Sequence, residues 1–291
     1  MRYAMAETNT VRKTELPAPK LNPDTFKQLR DLIYEMTGIH FQDNKTYLLE
    51  SRLLPRLKAC RCQTFENYLN FLRFDAYRDR EITELYTVIT TNETYFFRDE
   101  AQLDTFMKVM IPEVMKTNAQ TKQLRIWSAA CSTGDEPYTL ALLLRDYPPL
   151  AGWTIDILAT DISENVLNIA RTATYSSHSL RKVPPAMLAR YFTGKKEEQT
   201  LAQPVKDMVR FMNVNLYDRP RLKLIRGIDI IFCRNCLIYF DEKAKAQIVS
   251  DLRDALRPKG YLMIGFSETL LDKAGHFKTI HAGRSVIHEK Q

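Results

Sequence analysis

The first third of the chain repeats its apolar residues at helical spacing. Phe26, Leu29, Ile33 and Met36 make one stripe, Phe65, Leu69 and Leu72 a second, and Ile82, Leu85 and Ile89 a third. Between them "NKTYLLESRLLPRLKACR" puts Leu49, Leu53 and Leu57 on one face of a helix and Lys45, Arg52 and Arg56 on another, with Lys58 and Arg61 close behind. Pro55 interrupts that pattern. A proline in mid-helix removes a hydrogen bond at a cost of about 3 kcal/mol, so a kink or a late helix start is predicted there. From about residue 122 the pattern changes to short apolar runs alternating with helices. "QLRIWSAA" reads as a strand and "DEPYTLALLLRDY" as a helix with Pro137 in its first turn and Leu140, Leu143 and Leu144 on its face. "TIDILATD" is a second strand, and "SENVLNIAR" a helix capped by Ser163 with Val166, Ile169 and Ala170 inward. "GIDIIFCRN" and "GYLMIGFSE" are further strands separated by the helix "DEKAKAQIVSDLRDAL", and "FKTIHAGRSVIHEK" closes as a hairpin.

Alternation of this kind predicts an α/β fold with a largely parallel sheet, preceded by an all-helical domain. The expected divisions are a leader at 1–20, helices at 21–90, a linker and connecting helix at 91–122, and the α/β domain at 123–291. Residues 174–212, with "PPAMLARYF", the charged "GKKEEQ" and the strand-like "DMVRFMNV", read as a small β insertion in that domain.

Composition narrows the class. The 291 residues are long enough for one large or two smaller cores, and 45% hydrophobic with 26% charged content is ordinary for a globular protein. No apolar run approaches the ~20 residues of a membrane span. The start lacks the apolar core of a secretory signal, so a cytoplasmic protein without membrane insertion is expected. Lys and Arg number 42 against 35 acidic residues, a net charge of +7 that suits an acidic partner or simply a mildly basic surface.

Cys233 and Cys236 form a C-x-x-C that invites a redox or zinc reading. Zinc needs about four ligands, and the histidines at 40, 178, 276, 281 and 288 supply no second pair at ligand spacing. A redox C-x-x-C belongs at a helix start, whereas this one follows the strand-like "IDIIF". Two half-buried thiols are expected, with no metal.

In open α/β sheets ligands lie beyond the carboxyl ends of the strands. The first such end, "SAACSTGDEP", has a single glycine, Gly134, and so matches dinucleotide-binding turns poorly. Asp135 and Glu136 place negative charge where a phosphate would sit, although acids also stabilise a helix N-terminus. S-adenosylmethionine (SAM), which carries an ammonium and a sulfonium and no phosphate, suits this turn. Asp161 ends the second strand, where an acid accepts hydrogen bonds from ribose hydroxyls.

With these residues in place the chain resembles the CheR chemotaxis receptor methyltransferases. The resemblance rests on "TTNETYFFRD", "IWSAACSTGDEPYTLA", "ATDIS", "NVNL" and above all "IIFCRNCLIYF", and it spans roughly residues 21–290. It implies a Rossmann-like SAM-dependent methyltransferase domain that methylates glutamate side chains on bacterial chemoreceptors, leaving S-adenosylhomocysteine (SAH). Asn92, Thr94 and Arg98 would cover the cofactor from the linker. Ala130 and Glu136 would meet it at the first turn and Asp161 at the ribose, Asn215 and Leu216 would flank the adenine, and Arg234 and Asn235 would close the pocket. Tyr239 and Arg98 would orient the incoming carboxylate, and Arg52, Arg56 and Lys58 would face the acidic helical bundle of the receptor. The position of Cys236 is commonly aliphatic in the family, which leaves the C-x-x-C without a role. Family members that grip a receptor's C-terminal pentapeptide do so with a glycine-rich loop in the insertion. Here "GKKEEQTLAQP" holds only Gly194, so pentapeptide independence is expected, as is a monomer. Two further readings are a methyltransferase acting on RNA and a non-catalytic SAM or SAH sensor. The chain shows no interleaving of basic and aromatic residues for the first, and the pairing of Arg98 with Tyr239 speaks against the second.

Overall fold

The computed structural model describes residues 19–270, 272 and 275–291, so the expected leader lies outside the described residues up to residue 18. Among the described residues four α-helices come first: α1 (Pro23–Thr37), α2 (Thr46–Ala59), α3 (Phe65–Phe74) and α4 (Arg78–Ile89). Asn22 caps α1 by accepting the Thr25 N–H at 2.8 Å, and Gly38 ends it in the left-handed region at φ +71°. A Cβ on Gly38 would meet the Tyr217 ring at 2.7 Å, so glycine there serves both the turn and the approach of the next domain. α2 begins at Thr46 and runs through Pro55, so the predicted late start does not occur. Burial of Leu49, Leu53 and Leu57 outweighs the one hydrogen bond that Pro55 removes. Buried Glu81 is held between Arg56, 2.6 Å away, and the Tyr68 hydroxyl at 2.6 Å. Burial pushes Glu81 up, but the bonds from Arg56 and Tyr68 prevail and its pKa lies below the usual value.

After the linker, α5 (Glu100–Thr105), a π-helical turn (Phe106–Met110) and α6 (Ile111–Thr117) form one continuous helix. The Ile111 N–H reaches back to Phe106 C=O, and the looser turn sits just before Pro112, whose nitrogen has no hydrogen to donate.

The sheet then alternates as the apolar runs predict. In chain order come β1 (Gln123–Ala129), α7 (Asp135–Arg145), β2 (Thr154–Asp161), α8 (Glu164–Thr172), β3 (Thr174–Ser176), α9 (Pro185–Tyr191), β4 (Phe192–Lys195), β5 (Glu198–Leu201) and α10 (Gln203–Lys206). They continue as β6 (Val209–Asn213), α11 (Arg219–Leu222), β7 (Ile228–Cys233), α12 (Glu242–Ala255), β8 (Leu256–Ile264), β9 (Phe277–Ala282) and β10 (Ser285–Lys290). Seven strands form the main sheet in the order β6-β2-β1-β7-β8-β10-β9, parallel from β6 to β8 and antiparallel at β10 and β9. Alternate side chains feed two cores. Ile126, Ile230 and Met263 point to the face covered by α7, while Trp127, Ile231 and Leu262 point to α12 and join a cluster continuous with the helical domain.

Three expectations are corrected. The insertion ends earlier than 212, because β6 pairs in parallel with β2 and belongs to the main sheet; only β3, β5 and β4 make the small antiparallel sheet. Ile169 does not face inward: it is 47% exposed, and Leu167 fills the face with Val166 and Ala170. Ser163 stands at the α8 N-cap position, but its hydroxyl pairs with that of Thr87 at 2.9 Å, across to the helical domain, instead of capping the helix.

Candidate active site

Chain order reverses between β1 and β7, and the carboxyl ends of β1, β2, β6 and β7 surround one crevice there. All the residues expected to touch cofactor or substrate line it: Asn92, Thr94 and Arg98 from the linker, Ala130 and Glu136 after β1, and Asp161 after β2. Asn215 and Leu216 contribute after β6, and Arg234, Asn235 and Tyr239 after β7.

The turn after β1 is tightly wound. Ala130, Ser132 and Gly134 all have positive φ, at 60°, 50° and 88°. Two of the three are not glycine, the kind of strain that persists where the surroundings fix the backbone. That winding separates the two acids. Asp135 faces away from the crevice, fully buried, bonded to the hydroxyls of Thr133 (2.6 Å) and Ser179, and burial pushes its pKa up. Glu136 faces in, accepting from Ser128 Oγ at 2.7 Å and from Arg234 Nη1 at 2.9 Å. The acidic first turn therefore presents one carboxylate to a ligand, not two.

Arg234 is 8% exposed and fully engaged. Beyond Glu136 it reaches Gln102 Oε1 and Asp99 Oδ2, both at 2.5 Å, and the Arg98 carbonyl at 3.0 Å. Its guanidinium thus ties the linker to the end of β7, and a buried cation so surrounded is stable only while its partners remain. Further ties hold the linker in place. Phe97 N–H donates to Thr139 Oγ1 at 3.1 Å, Ser132 Oγ to Asn92 C=O at 3.1 Å, and the Phe96 ring meets Tyr175 and Phe192 edge-on at 4.8 and 5.5 Å.

Asp161 accepts the N–H groups of Ser132 at 2.9 Å and Ser163 at 3.0 Å; burial pushes its pKa up against those bonds. An ionised carboxylate has about four lone-pair positions, so capacity for hydroxyl donors remains. Asn215 donates to Met36 C=O at 2.7 Å, tying the end of β6 to α1 while it lines the crevice. Asn235 is left-handed at φ +56°, and Tyr239 follows in a short 3₁₀ turn (Leu237–Tyr239) whose end is fastened to the helical domain by His40 N–H donating to Tyr239 C=O at 2.9 Å.

The basic residues of α2 lie outside the crevice lining. Arg52 donates to the carbonyl of Ile89 and, at 2.7 Å, to Thr91 Oγ1, and burial lowers its pKa, opposed by nearby Tyr239. Arg56 is committed to Glu81 and Glu84 inside the helical domain, so it does not present the free cationic face that sequence implied. Lys58 is exposed. Cys233 is buried and Cys236 lines the crevice; the neighbouring Cys236 thiol and burial push Cys233 well up, which keeps it protonated and a poor nucleophile.

Sequence reasoning missed Glu268. Its carboxylate accepts the N–H groups of Asn235 (2.9 Å), Ile238 (3.2 Å) and Gly265 (2.6 Å), clasping the turn that carries Asn235 and Tyr239 to the end of β8. The strand-end rule, applied to "GYLMIGFSE" as to the other three strands, would have found it. Thr37 and Ile39 also line the crevice from the helical domain, and nothing in their local pattern announces it.

The donor set suits SAM. One carboxylate stands at a helix start and another at a strand end, an apolar wall of Ile162, Val214 and Leu216 offers a surface for a base, and the first turn presents no cation for a phosphate. Comparison with known proteins agrees. Residues 24–90 match the CheR methyltransferase all-alpha domain, and residues 92–286 match the CheR methyltransferase SAM-binding domain. Chemotaxis protein methyltransferase 2 of Vibrio cholerae is 35% identical over 84% of this chain and 85% of its own. The chemotaxis protein methyltransferase of Borreliella burgdorferi is 34% identical over 86% of this chain and 89% of its own. Among solved structures, the rRNA methyltransferase aviRa from Streptomyces viridochromogenes overlaps 63% of this chain and 83% of its own at 12% identity and a TM-score of 0.40, too distant to bear on function.

Proposed function

The chain belongs to the CheR family of SAM-dependent chemotaxis methyltransferases, and on that premise we propose that it esterifies glutamate side chains of chemoreceptors. The observation that carries this reading is the meeting of Arg98 and Tyr239 with Glu136 and Asp161 around one crevice. A glutamate carboxylate has a pKa of about 4.3 and is already ionised at neutral pH, so the site needs no general base. Bound SAM supplies an electrophilic methyl carbon on a sulfonium. The protein's task is then to hold nucleophile and methyl group in line, and positioning of that kind contributes about 7–11 kcal/mol.

Each residue has a part in that task. Asp161 and Glu136 hold the cofactor's polar groups, and Asn215 and Leu216 flank its base. Asn92 and Thr94 cover it from the linker, which Arg234 pins down. Arg98 fixes one oxygen of the incoming carboxylate while the other attacks, and Tyr239 keeps that carboxylate in line. The receptor's acidic helical bundle approaches from the side of α2, where Lys58 is exposed and Arg52 stands at the linker. The β4–β5 hairpin carries Gly194 as the one glycine of its loop region, and that lack of a glycine-rich loop supports an enzyme that acts without a tethering pentapeptide. On this reading the enzyme works in the cytoplasm, where such a receptor segment would lie, and acts as a monomer.

The test is methyl transfer from labelled SAM to chemoreceptor-containing membranes, followed by alkali. Label released as methanol is expected, because a carboxyl methyl ester is base-labile. Base-stable label would assign a different nucleophile, and cofactor binding without any transfer would favour the sensor reading.

A further inference from the structure

Tyr95 lines the crevice and carries two cations on its ring. The guanidinium carbon of Arg181 lies 3.7 Å from the ring centroid and that of Arg98 lies 5.7 Å away. The two arginines come from separate parts of the chain, Arg98 from the linker and Arg181 from the exposed loop between β3 and α9. Among the described residues neither makes an ion pair, although adjacent Lys182 pairs with Glu100 at 3.6 Å. Arg98 donates to the Glu93 carbonyl, and Arg181 to the His178 carbonyl. The carboxylate that Arg181 influences, Asp135, is buried and already bonded to Ser179 and Thr133.

Two like charges on one ring repel each other, and a surface arginine normally relaxes into water or finds a carboxylate. Here the Arg181 guanidinium instead lies over the Tyr95 ring, its carbon 3.7 Å from the centroid. The loop that carries it is also fixed at its base. Ser179 bonds Asp135 through its hydroxyl and accepts the Phe96 N–H through its carbonyl at 3.1 Å, and Tyr175 donates to the Thr133 carbonyl at 2.8 Å. The result is a rigid cationic rim with unused donors beside the place where a protein carboxylate must enter. Preorganised charge of this sort favours an anionic partner because little ordering is left to do on binding.

We propose that Arg181, stacked on Tyr95 beside Arg98, forms a second carboxylate site that receives an acidic side chain of the receptor segment next to the glutamate being methylated. This rests on the receptor-glutamate reading above. It gives the insertion a role at the methylation site itself, as a selector for acidic surroundings.

The experiment is equilibrium binding of a purified, soluble cytoplasmic fragment of a chemoreceptor to the full-length protein saturated with SAH. Wild type is compared with Arg181→Glu and Arg181→Lys at low and moderate salt. Charge reversal is expected to weaken fragment binding about tenfold or more and to flatten its salt dependence. Lysine, which keeps the charge and loses the planar stack, should stay within about threefold of wild type. SAH affinity should be the same in all three proteins. Fragment affinity of Arg181→Glu within about twofold of wild type would overturn the inference, as would a loss of SAH affinity parallel to the loss of fragment binding, since Arg181 would then be structural. If wild type neither binds nor methylates the fragment, the receptor-glutamate reading falls and this inference with it.

Discussion

Asp161 shows how much a single residue's role depends on its surroundings. At the end of β2 it is 6% exposed, and burial raises its pKa even though two backbone N–H groups favour its ionised form. The ionised form is the one that accepts ribose hydroxyls. Cofactor affinity should therefore be full above the raised pKa and fall as pH drops through it, starting at a higher pH than for an exposed aspartate. For folding the sign is opposite: a carboxyl that holds its proton more tightly in the folded state stabilises most at low pH, and that contribution shrinks as pH rises. Titrating SAH binding between mildly acid and neutral pH checks the first statement. Asp161→Asn should bind about 10- to 100-fold more weakly, with a flat profile across that window. A wild-type profile that is itself flat would remove Asp161 from the ribose. The position of this acid was legible as a strand end, whereas its burial and its bond to the Ser132 N–H come from a turn 29 residues away.

At the scale of elements, helical spacing located α1 to α4, each of which buries one face, and unbroken apolar runs located β1, β2 and β7, which are buried on both faces; β8 was found too, although it starts at Leu256, four residues before the expected run. What escaped were contacts between the ends of elements. β6 looked like part of the insertion because an edge strand's pairing partner is not written in its own residues. The Glu268 clasp escaped for the same reason, since its three donors lie on two separate turns. Removing it in Glu268→Ala should loosen the Asn235–Tyr239 turn and lower kcat about 100-fold, the cost of a misplacement of roughly 1 Å, while SAH affinity changes little. Gly265→Ala should act in the same direction, because its Cβ would lie 2.7 Å from Glu268 Oε2 and 2.9 Å from the Asn235 nitrogen. Single-turnover methyl transfer beside SAH titration separates the two effects; a rise in KM for SAM with kcat intact would place Glu268 in cofactor binding instead.

Across the whole molecule, the two domains share the crevice. Thr37 and Ile39 line it from the helical domain, Asn215 bonds Met36 C=O, and Ile39 and Phe240 form an isolated antiparallel bridge. Ligand bound there should stabilise both domains together. SAH at 100 times its dissociation constant adds about 2.7 kcal/mol, and amide protection should rise in α1 as well as in α7. Protection that rises in α7 alone would mean that the helical domain opens independently of the site.

The sequence by itself determined most of the order of elements, the division into a helical and an α/β domain, and the crevice residues contributed by the linker and the strand ends. Periodicity and strand-end position are local properties of a chain, and the "IIFCRNCLIYF" stretch is a long enough string to name a family. Only the tertiary structure decided which way each of those side chains faces. It turned Asp135 away and Glu136 inward, committed Arg56 to Glu81, and set Arg181 on the ring of Tyr95. The physical reason is that a charge takes its role from the partners that desolvate and neutralise it, and those partners are distant in sequence.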